Sequence, residues 1–368
     1  MAELTMDTAI DKPTRVLIVA ASLDILGGQA VQAQRLIQHL QNEPSIEVSF
    51  QPINPRLPGA LRKLQSIKYV RTVTTSILYL LNLLRHVRKH DVIHIFSASH
   101  LSFLIAPTPA ILIGKLYGKK ILLNYHSGQA EEHLRRWRRS TIPILNLVDK
   151  VVVQSEFLVK VFAKFGIESS AIVNDIDLTR FEFRERVPLR PVFLSNRNLE
   201  ALYGVDTLLR AFALIQEQVP EAVLTVVGYG SQREALESLK DELKLRNISF
   251  TGRIAHEDIY QHYSASDIFL NASRIDNQPL SIIEAFACGL PVVTTDAGGI
   301  PYMVTDGETG FVVRVDDHEA LANRAVDLLT RQNTAMAMVH RAHAECEKYT
   351  WAVVGEQWLN LYHSLAQK

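Results

Sequence analysis

Two carboxylates pose the chemical question in this chain. In RIDNQPLSIIEAFACGLPVVTTDAGG, residues 274–299, Asp276 and Glu284 stand eight residues apart, with Pro279 between them and an apolar run behind. On one continuous helix that spacing, a little over two turns, would place both on one face. Pro279 argues otherwise, because proline suits the first turn of a helix and disfavours a helical residue before it. The sequence therefore predicts Asp276 in the loop entering the helix and Glu284 one to two turns inside it. Between them lie the unpaired backbone N–H groups of a helix N-terminus, where an anion is welcome. Carboxylates on both sides of such a seat suit a ligand whose middle is anionic and whose two ends carry hydroxyl groups.

Other residues could share that chemistry. Arg197, in SNRN at 195–198, closes a strand-like run and can meet a phosphate in a bidentate way; the competing reading is a surface ion pair with Glu200. Gly228 and Gly230 in VVGYG follow the next strand-like run. Near the start, SLDILGGQAVQAQRL carries Gly27 and Gly28, which permit a tight turn and close backbone approach, but the spacing is not that of a dinucleotide fingerprint. Gly298 and Gly299 have a second phosphate-loop shape. Of His94, His100 and His126, at or just beyond strand ends of the first half, none has metal-ligand spacing, so no metal is expected. His126, before Ser127 and Gly128, is the one placed to reach a ligand, whereas His94 inside a strand reads as a core residue. No nucleophile elbow of the form GxSxG is present, and Cys288 in its apolar helix reads as structural.

The elements that must hold these residues alternate. β-branched apolar runs (15–20, 46–53, 92–96, 120–126, 150–155 and 171–174, then 192–196, 222–228, 248–252, 267–273 and 291–295) are separated by segments of helical period, and TDGETGFVV reads as a turn into a short strand. That pattern predicts parallel sheets with crossover helices, an α/β fold of two doubly wound Rossmann-like domains facing a central cleft. The charged, proline-containing FEFRERVPLRP at 181–191 is read as the linker. The expected division is residues 1–186, residues 187–350 and a terminal helix over 351–368 that packs back on the first domain.

At 368 residues, 47% hydrophobic, the chain has material for two cores. Two cysteines imply no disulfide framework, and the polar, acidic first fifteen residues do not resemble a signal peptide. A soluble, cytoplasmic protein is expected. The apolar run between Arg71 and Arg85 is too short to span a bilayer, and Phe96–Gly114 is broken by His100, Pro107 and Pro109, so it reads as a buried loop and helix. Lys and Arg number 24 against 16 Asp and Glu in residues 1–186, and 15 against 23 in the remainder. From Arg56 to Lys89 there are eight basic residues, no acidic one, and interleaved apolar side chains; LRRWRRS at 134–140 is a second basic cluster around Trp137. Residues 56–90 and 134–140 are therefore expected to dock on an anionic membrane surface, the competing reading being a solvated face over a core helix. No nucleic-acid partner is expected.

With these motifs in view, the chain resembles the retaining glycosyltransferases of family 4, which have the GT-B fold. The likeness runs from the first glycine pair to the terminal helix and is strongest over residues 274–313, where DNQPLSIIEAFACGLPVV carries Asp276 in place of the family's first Glu. The resemblance implies that Glu284 binds ribose hydroxyls of a UDP- or GDP-linked sugar, that Asp276 binds the donor sugar, and that the backbone of Asn277, Gln278, Pro279, Leu280 and Ser281 meets sugar and diphosphate. It further implies Arg197 on the diphosphate, Gly228 and Gly230 lining the pocket, Arg253 and Ile254 near the base, Gly27 and Gly28 toward the phosphates, and His126 near the transferred sugar. The implied reaction is metal- and cofactor-independent transfer, with retained anomeric configuration, to the hydroxyl of a glycan or lipid-linked acceptor. One departure stands out: RNLEALYG places Tyr203 where the family usually has a Lys. A catalytically silent nucleotide-sugar binder is the alternative that departure favours. A dehydrogenase is disfavoured by the missing fingerprint, and a phosphorylase by the lack of a lysine near the second-half motifs.

Overall fold

The computed structural model describes residues 12–22, 28–57, 59, 67–97, 99–255 and 257–367. The chain divides into two compact units, one of residues up to Val153 with Val161–Ile172 and Gly355–Lys368, the other of Gln154–Lys160 and Val173–Val354.

The first unit is built on a parallel sheet of β1 (Thr14–Ala20), β2 (Ile46–Pro52), β3 (Val92–Ser97), β4 (Lys120–Tyr125), β5 (Lys150–Val153) and β6 (Ser170–Ala171), in the order β2-β1-β3-β4-β5-β6. Val16–Ala20 and all of β3 are buried, as expected of strands covered on both faces. His94 lies within β3, its Nδ1 2.7 Å from Tyr362 Oη and its ring beside Phe96 and Trp358, so the terminal helix Trp351–Ala366 contributes to this core. The run from Phe96 to Gly114 forms the helices Leu101–Ile105 and Pro107–Leu116, with a proline opening the second.

The second unit carries β7 (Val192–Asn196), β8 (Val223–Val227), β9 (Ile248–Gly252), β10 (Ile268–Leu270), β11 (Val292–Thr295) and β12 (Phe311–Val313), in the order β12-β11-β10-β7-β8-β9. Alternate residues pack on opposite faces. Phe193, Ile268, Leu270 and Val293 join Leu208, Phe212 and Leu321 in one core. Leu194, Phe269 and Val292 join Ile282, Ile283 and Phe286 in the other. The strand order reverses between β7 and β10, and that switch point is where open α/β sheets form a ligand crevice beyond their strand ends.

Residues 181–191 are not the expected linker. The units divide earlier, at Ile172 and Val173, and residues 181–191 are packed into the second. Arg186 is 4% exposed, donating to the carbonyls of Ser266 (2.7 Å), Cys288 (2.6 Å), Arg184 (2.8 Å) and Tyr263 (3.1 Å), while Phe181 and Leu189 are buried. A buried guanidinium that satisfies so many carbonyls is an integral clamp, although its neighbours in sequence look like surface chain. The division expected at 186/187 thus gives way to one in which residues 173–186 belong to the second unit and the chain end from Gly355 belongs to the first.

Candidate functional site

The site grows from the helix Leu280–Ala287. Pro279, with extended backbone (φ −68°, ψ 106°), stands at its N-cap and stops the helix from running back into the loop. Asp276 is therefore in the entering loop, and Glu284 one turn inside, as the spacing predicts. Every residue from Ser281 to Ala287 is buried, because the helix packs against the sheet. Glu284, 3% exposed, is the one acidic member of that set. A buried carboxylate needs donors. Tyr263 Oη donates to its Oε2 at 2.6 Å, and Asn196 Nδ2 approaches the same oxygen at 3.4 Å. Tyr263 is itself fully buried, and its phenol is pushed well above the ordinary range, first by burial and then by Glu284.

Arg197 emerges at the carboxyl end of β7, its backbone N–H bonded to the Val227 carbonyl at 3.0 Å. Its side chain is paired with Asp276 rather than Glu200; the two side chains are 13% and 11% exposed. The guanidinium also lies 4.5 Å over the Tyr203 ring and 3.4 Å from Ser281 Oγ, and its Nε is buried with no hydrogen-bond partner. Burial lowers its pKa, with Tyr203, Tyr263 and Glu284 opposing the shift. Glu200 instead accepts from Ser231, through N–H at 2.9 Å and Oγ at 2.5 Å. Tyr203, a departure from the familiar motif, thus becomes the floor on which Arg197 rests.

The loop of Asp276 is held from several sides. Its Oδ1 accepts the Asn277 N–H at 3.0 Å, and Ser273 Oγ lies 3.2 Å from Oδ2. Gly299 N–H donates to the Asp276 carbonyl at 3.0 Å. A Cβ at Gly298 (φ +54°) or Gly299 would strike the carbonyl of Asp276 or Asn277, so this glycine pair braces the loop. Asn277 bonds Gln154 at 3.0 Å and accepts from Ser155 Oγ, and Gln278 accepts the Asn174 N–H at 2.9 Å. Gly228 (φ +146°) and Gly230 let the turn after β8 press on the backbone of Arg197 and Leu199. Beyond β9, Arg253 is exposed, stacked 5.2 Å over Tyr229, and Ile254 is half-buried against the core.

Thus Arg197, Asp276, Asn277, Gln278, Pro279, Leu280, Ser281 and Glu284 come together at the switch point of the second sheet, with Gly228 bracing Arg197 and Gly230 bracing Leu199. Gly28 and His126 belong to the first unit and follow its interior strands β1 and β4 at their carboxyl ends. Gly28 opens the helix Gly28–Gln41, whose Gln29 donates to the carbonyls of Ser97 (3.0 Å) and His126 (3.1 Å). The His126 ring stacks on Phe96, its Nε2 is enclosed without a partner, and burial lowers its pKa to about 3, leaving a neutral imidazole. Gly27 lies outside the described residues. Among the described residues no group of three His, Cys, Asp or Glu side chains could hold a metal ion. Sequence reasoning missed Tyr263, which sits in an unremarkable helical segment, and Asn196, although it lay inside the SNRN run.

A family model described as "Glycosyl transferases group 1" matches residues 179–345, which span every site residue named on the second unit. Over 183 residues, 47% of this chain and 47% of the relative, the sequence is 33% identical to a GDP-mannose-dependent monoacylated alpha-(1-6)-phosphatidylinositol monomannoside mannosyltransferase of Corynebacterium glutamicum. A GDP-mannose-dependent alpha-(1-6)-phosphatidylinositol monomannoside mannosyltransferase of Mycolicibacterium smegmatis is 33% identical over 207 residues, 53% of this chain and 54% of that one. The chain spans about half the length of these curated relatives. The crystal structure of Anabaena HepE in complex with UDP and glucose superposes with a TM-score of 0.73 at 18% identity, covering 95% of this chain and 100% of that one. A sucrose-phosphate synthase from Thermosynechococcus elongatus gives 0.73 at 20% identity, covering 96% and 99%. These likenesses establish the fold as GT-B, with two parallel-sheet α/β units.

Proposed function

We propose that the protein is a retaining glycosyltransferase that moves a hexosyl group from a UDP- or GDP-linked donor to a hydroxyl of a glycan or lipid-linked acceptor. The observation that carries this reading is the buried set of Arg197, Asp276 and Glu284 around the open amides of one helix N-terminus. Glu284 and Tyr263 fix a carboxylate for ribose hydroxyls, Asp276 takes hydroxyls of the sugar, and Arg197 with the helix N-terminus takes the diphosphate between them. As the sugar leaves, negative charge grows on the phosphate, and a pre-positioned guanidinium in a largely buried site stabilises it more than it would in water. From the first unit we assign Gly28 to the phosphates and His126, a neutral donor or acceptor, to the transferred sugar. Arg253 and Ile254 are assigned to the base. We assign same-face attack, with a donor phosphate oxygen taking the acceptor proton and no metal taking part. The names of the relatives favour GDP-mannose as donor and a lipid-borne acceptor, which agrees with attachment to a membrane surface.

The resting ion pair of Arg197 with Asp276, and Tyr203 in place of a second cation, favour one competing reading, a silent binder. A calorimetric screen of UDP- and GDP-sugars against the parent chain and Asp276→Asn tests the donor assignment. The sugar nucleotide should weaken on substitution while the bare nucleoside diphosphate does not. Equal affinity of both for the two proteins would remove Asp276 from the sugar site.

A further inference from the structure

The helix Lys68–His86 carries two apolar faces, and only one is used by the fold. Tyr79 and Leu83 are buried, as is Val87 just beyond, and Tyr79 Oη donates to the Ala106 carbonyl at 2.8 Å, which fixes which face is inward. On the outer face Val73, Ile77, Leu80, Leu81 and Leu84 recur at i, i+4, i+7, i+8 and i+11, an unbroken stripe about 100° wide. They are exposed, Val73 and Leu81 to 58% and Ile77 to 54%. The Ala106 contact also brings alongside the segment bearing exposed Leu101 and Ile105. Exposed Arg71, Arg85, Arg88 and Lys89 border the stripe, and Arg56–Lys89 contains no acidic residue.

We infer that this outer face is a lipid-docking surface, the helix lying in the plane of an anionic bilayer with its leucines among the acyl chains and its cations among the headgroups. An apolar stripe edged by cations is what such an interface selects. Pairing with a second copy fits poorly, because a two-fold contact would set the same cations against one another with no carboxylate on the helix to offset them. The docking element is therefore this helix rather than the 134–140 cluster. There Arg135, Arg136, Arg138 and Arg139 are exposed but Leu134 is buried and Trp137 half-buried, so it supplies charge without an insertable face. No helix among the described residues is long and apolar enough to cross a membrane, and docking from one side does not require one.

The inference gives the proposed lipid-linked acceptor a place to be met, and rests on that reading only there; flotation needs neither donor nor turnover, so either idea can fail alone. The full chain is mixed with vesicles of phosphatidylcholine alone or with equal phosphatidylglycerol and floated at low and high salt. It should float with the anionic vesicles only, and less at high salt. Because each cation near an anionic surface strengthens binding about fivefold, Arg85→Ser, Arg88→Ser and Lys89→Ser together should weaken partitioning by about a hundredfold. Ile77→Asp with Leu81→Asp, both on the outer face, should weaken it at least about tenfold while the circular dichroism is unchanged. The inference is overturned by absence of flotation on anionic vesicles at low salt. It is equally overturned by flotation that the aspartate pair leaves intact, or by a concentration-dependent dimer that the same pair abolishes.

Discussion

Replacing Glu284 with Gln separates the ligand role of this carboxylate from its structural one. The side chain is 3% exposed and accepts from Tyr263 Oη at 2.6 Å, with Asn196 Nδ2 at 3.4 Å. A glutamine can keep its Oε1 at the acceptor position and hold both contacts, so the fold should survive. The melting temperature should stay level or rise, since a buried charge has been removed. The ligand side differs. Hydrogen bonds to a charged group contribute about 1.5–3 kcal/mol, against about 0.5–1.5 kcal/mol for neutral ones. Two ribose hydroxyls therefore lose together about 2 kcal/mol, roughly thirtyfold in Kd. Isothermal titration calorimetry with the best UDP- or GDP-sugar reads the affinity, and a thermal melt reads the fold. An unchanged Kd in a folded variant would refute the assignment of Glu284 to the ribose.

Arg197→Ala should lower kcat by about 100- to 1000-fold, more than it weakens donor binding, because its charge matters most on the departing phosphate; a rise in KM with constant kcat would make it a binding group only. Arg186→Leu strands the carbonyls of Ser266, Cys288 and Tyr263 and should cost about 3 kcal/mol or more of stability, read as a lower urea midpoint. His94 and His126 each have a pKa lowered by burial to about 3, below the ordinary 6.5, so the unfolded chain takes up protons first. Their contribution is whole above about pH 6.5 and is lost as the pH falls toward 3, by up to about 1.4 kcal/mol per unit for each ring. His94→Gln, which can still meet Tyr362, should flatten that slope between pH 7 and pH 5 in urea unfolding.

Much of this arrangement was legible in the residues. Pro279 between two carboxylates announced a loop followed by a helix, and the apolar runs located each strand because a doubly covered parallel sheet demands continuous hydrophobicity. Pairings between distant segments were not legible. Nothing local in YQHYSAS says that Tyr263 will hold Glu284, since that contact exists only once β10 has placed both helices on one face of the sheet. The stretch at 181–191 misled for a related reason: charge and proline usually mark surface chain, and only the three-dimensional cage of carbonyls makes Arg186 an interior residue. In ILYLLNLL the composition cannot tell a core face from an exposed one, because both are leucine-rich; burial is decided by which side finds a partner. Tyr203 illustrates the opposite case, a departure visible in the sequence whose consequence, the stack under Arg197, emerged only from the fold.

In the proposed transfer Arg197, Asp276 and Glu284 act on a donor that is cleaved rather than only held. The direct measurement is proton NMR of a UDP- or GDP-sugar incubated with excess protein in chelator, without acceptor, so that even slow turnover registers. The proposed transfer predicts that the anomeric signal of the donor gives way to nucleoside diphosphate and free sugar released first in the donor's anomeric configuration, and that Arg197→Ala abolishes the change. A donor that binds saturably yet stays intact would contradict it and leave a silent binder.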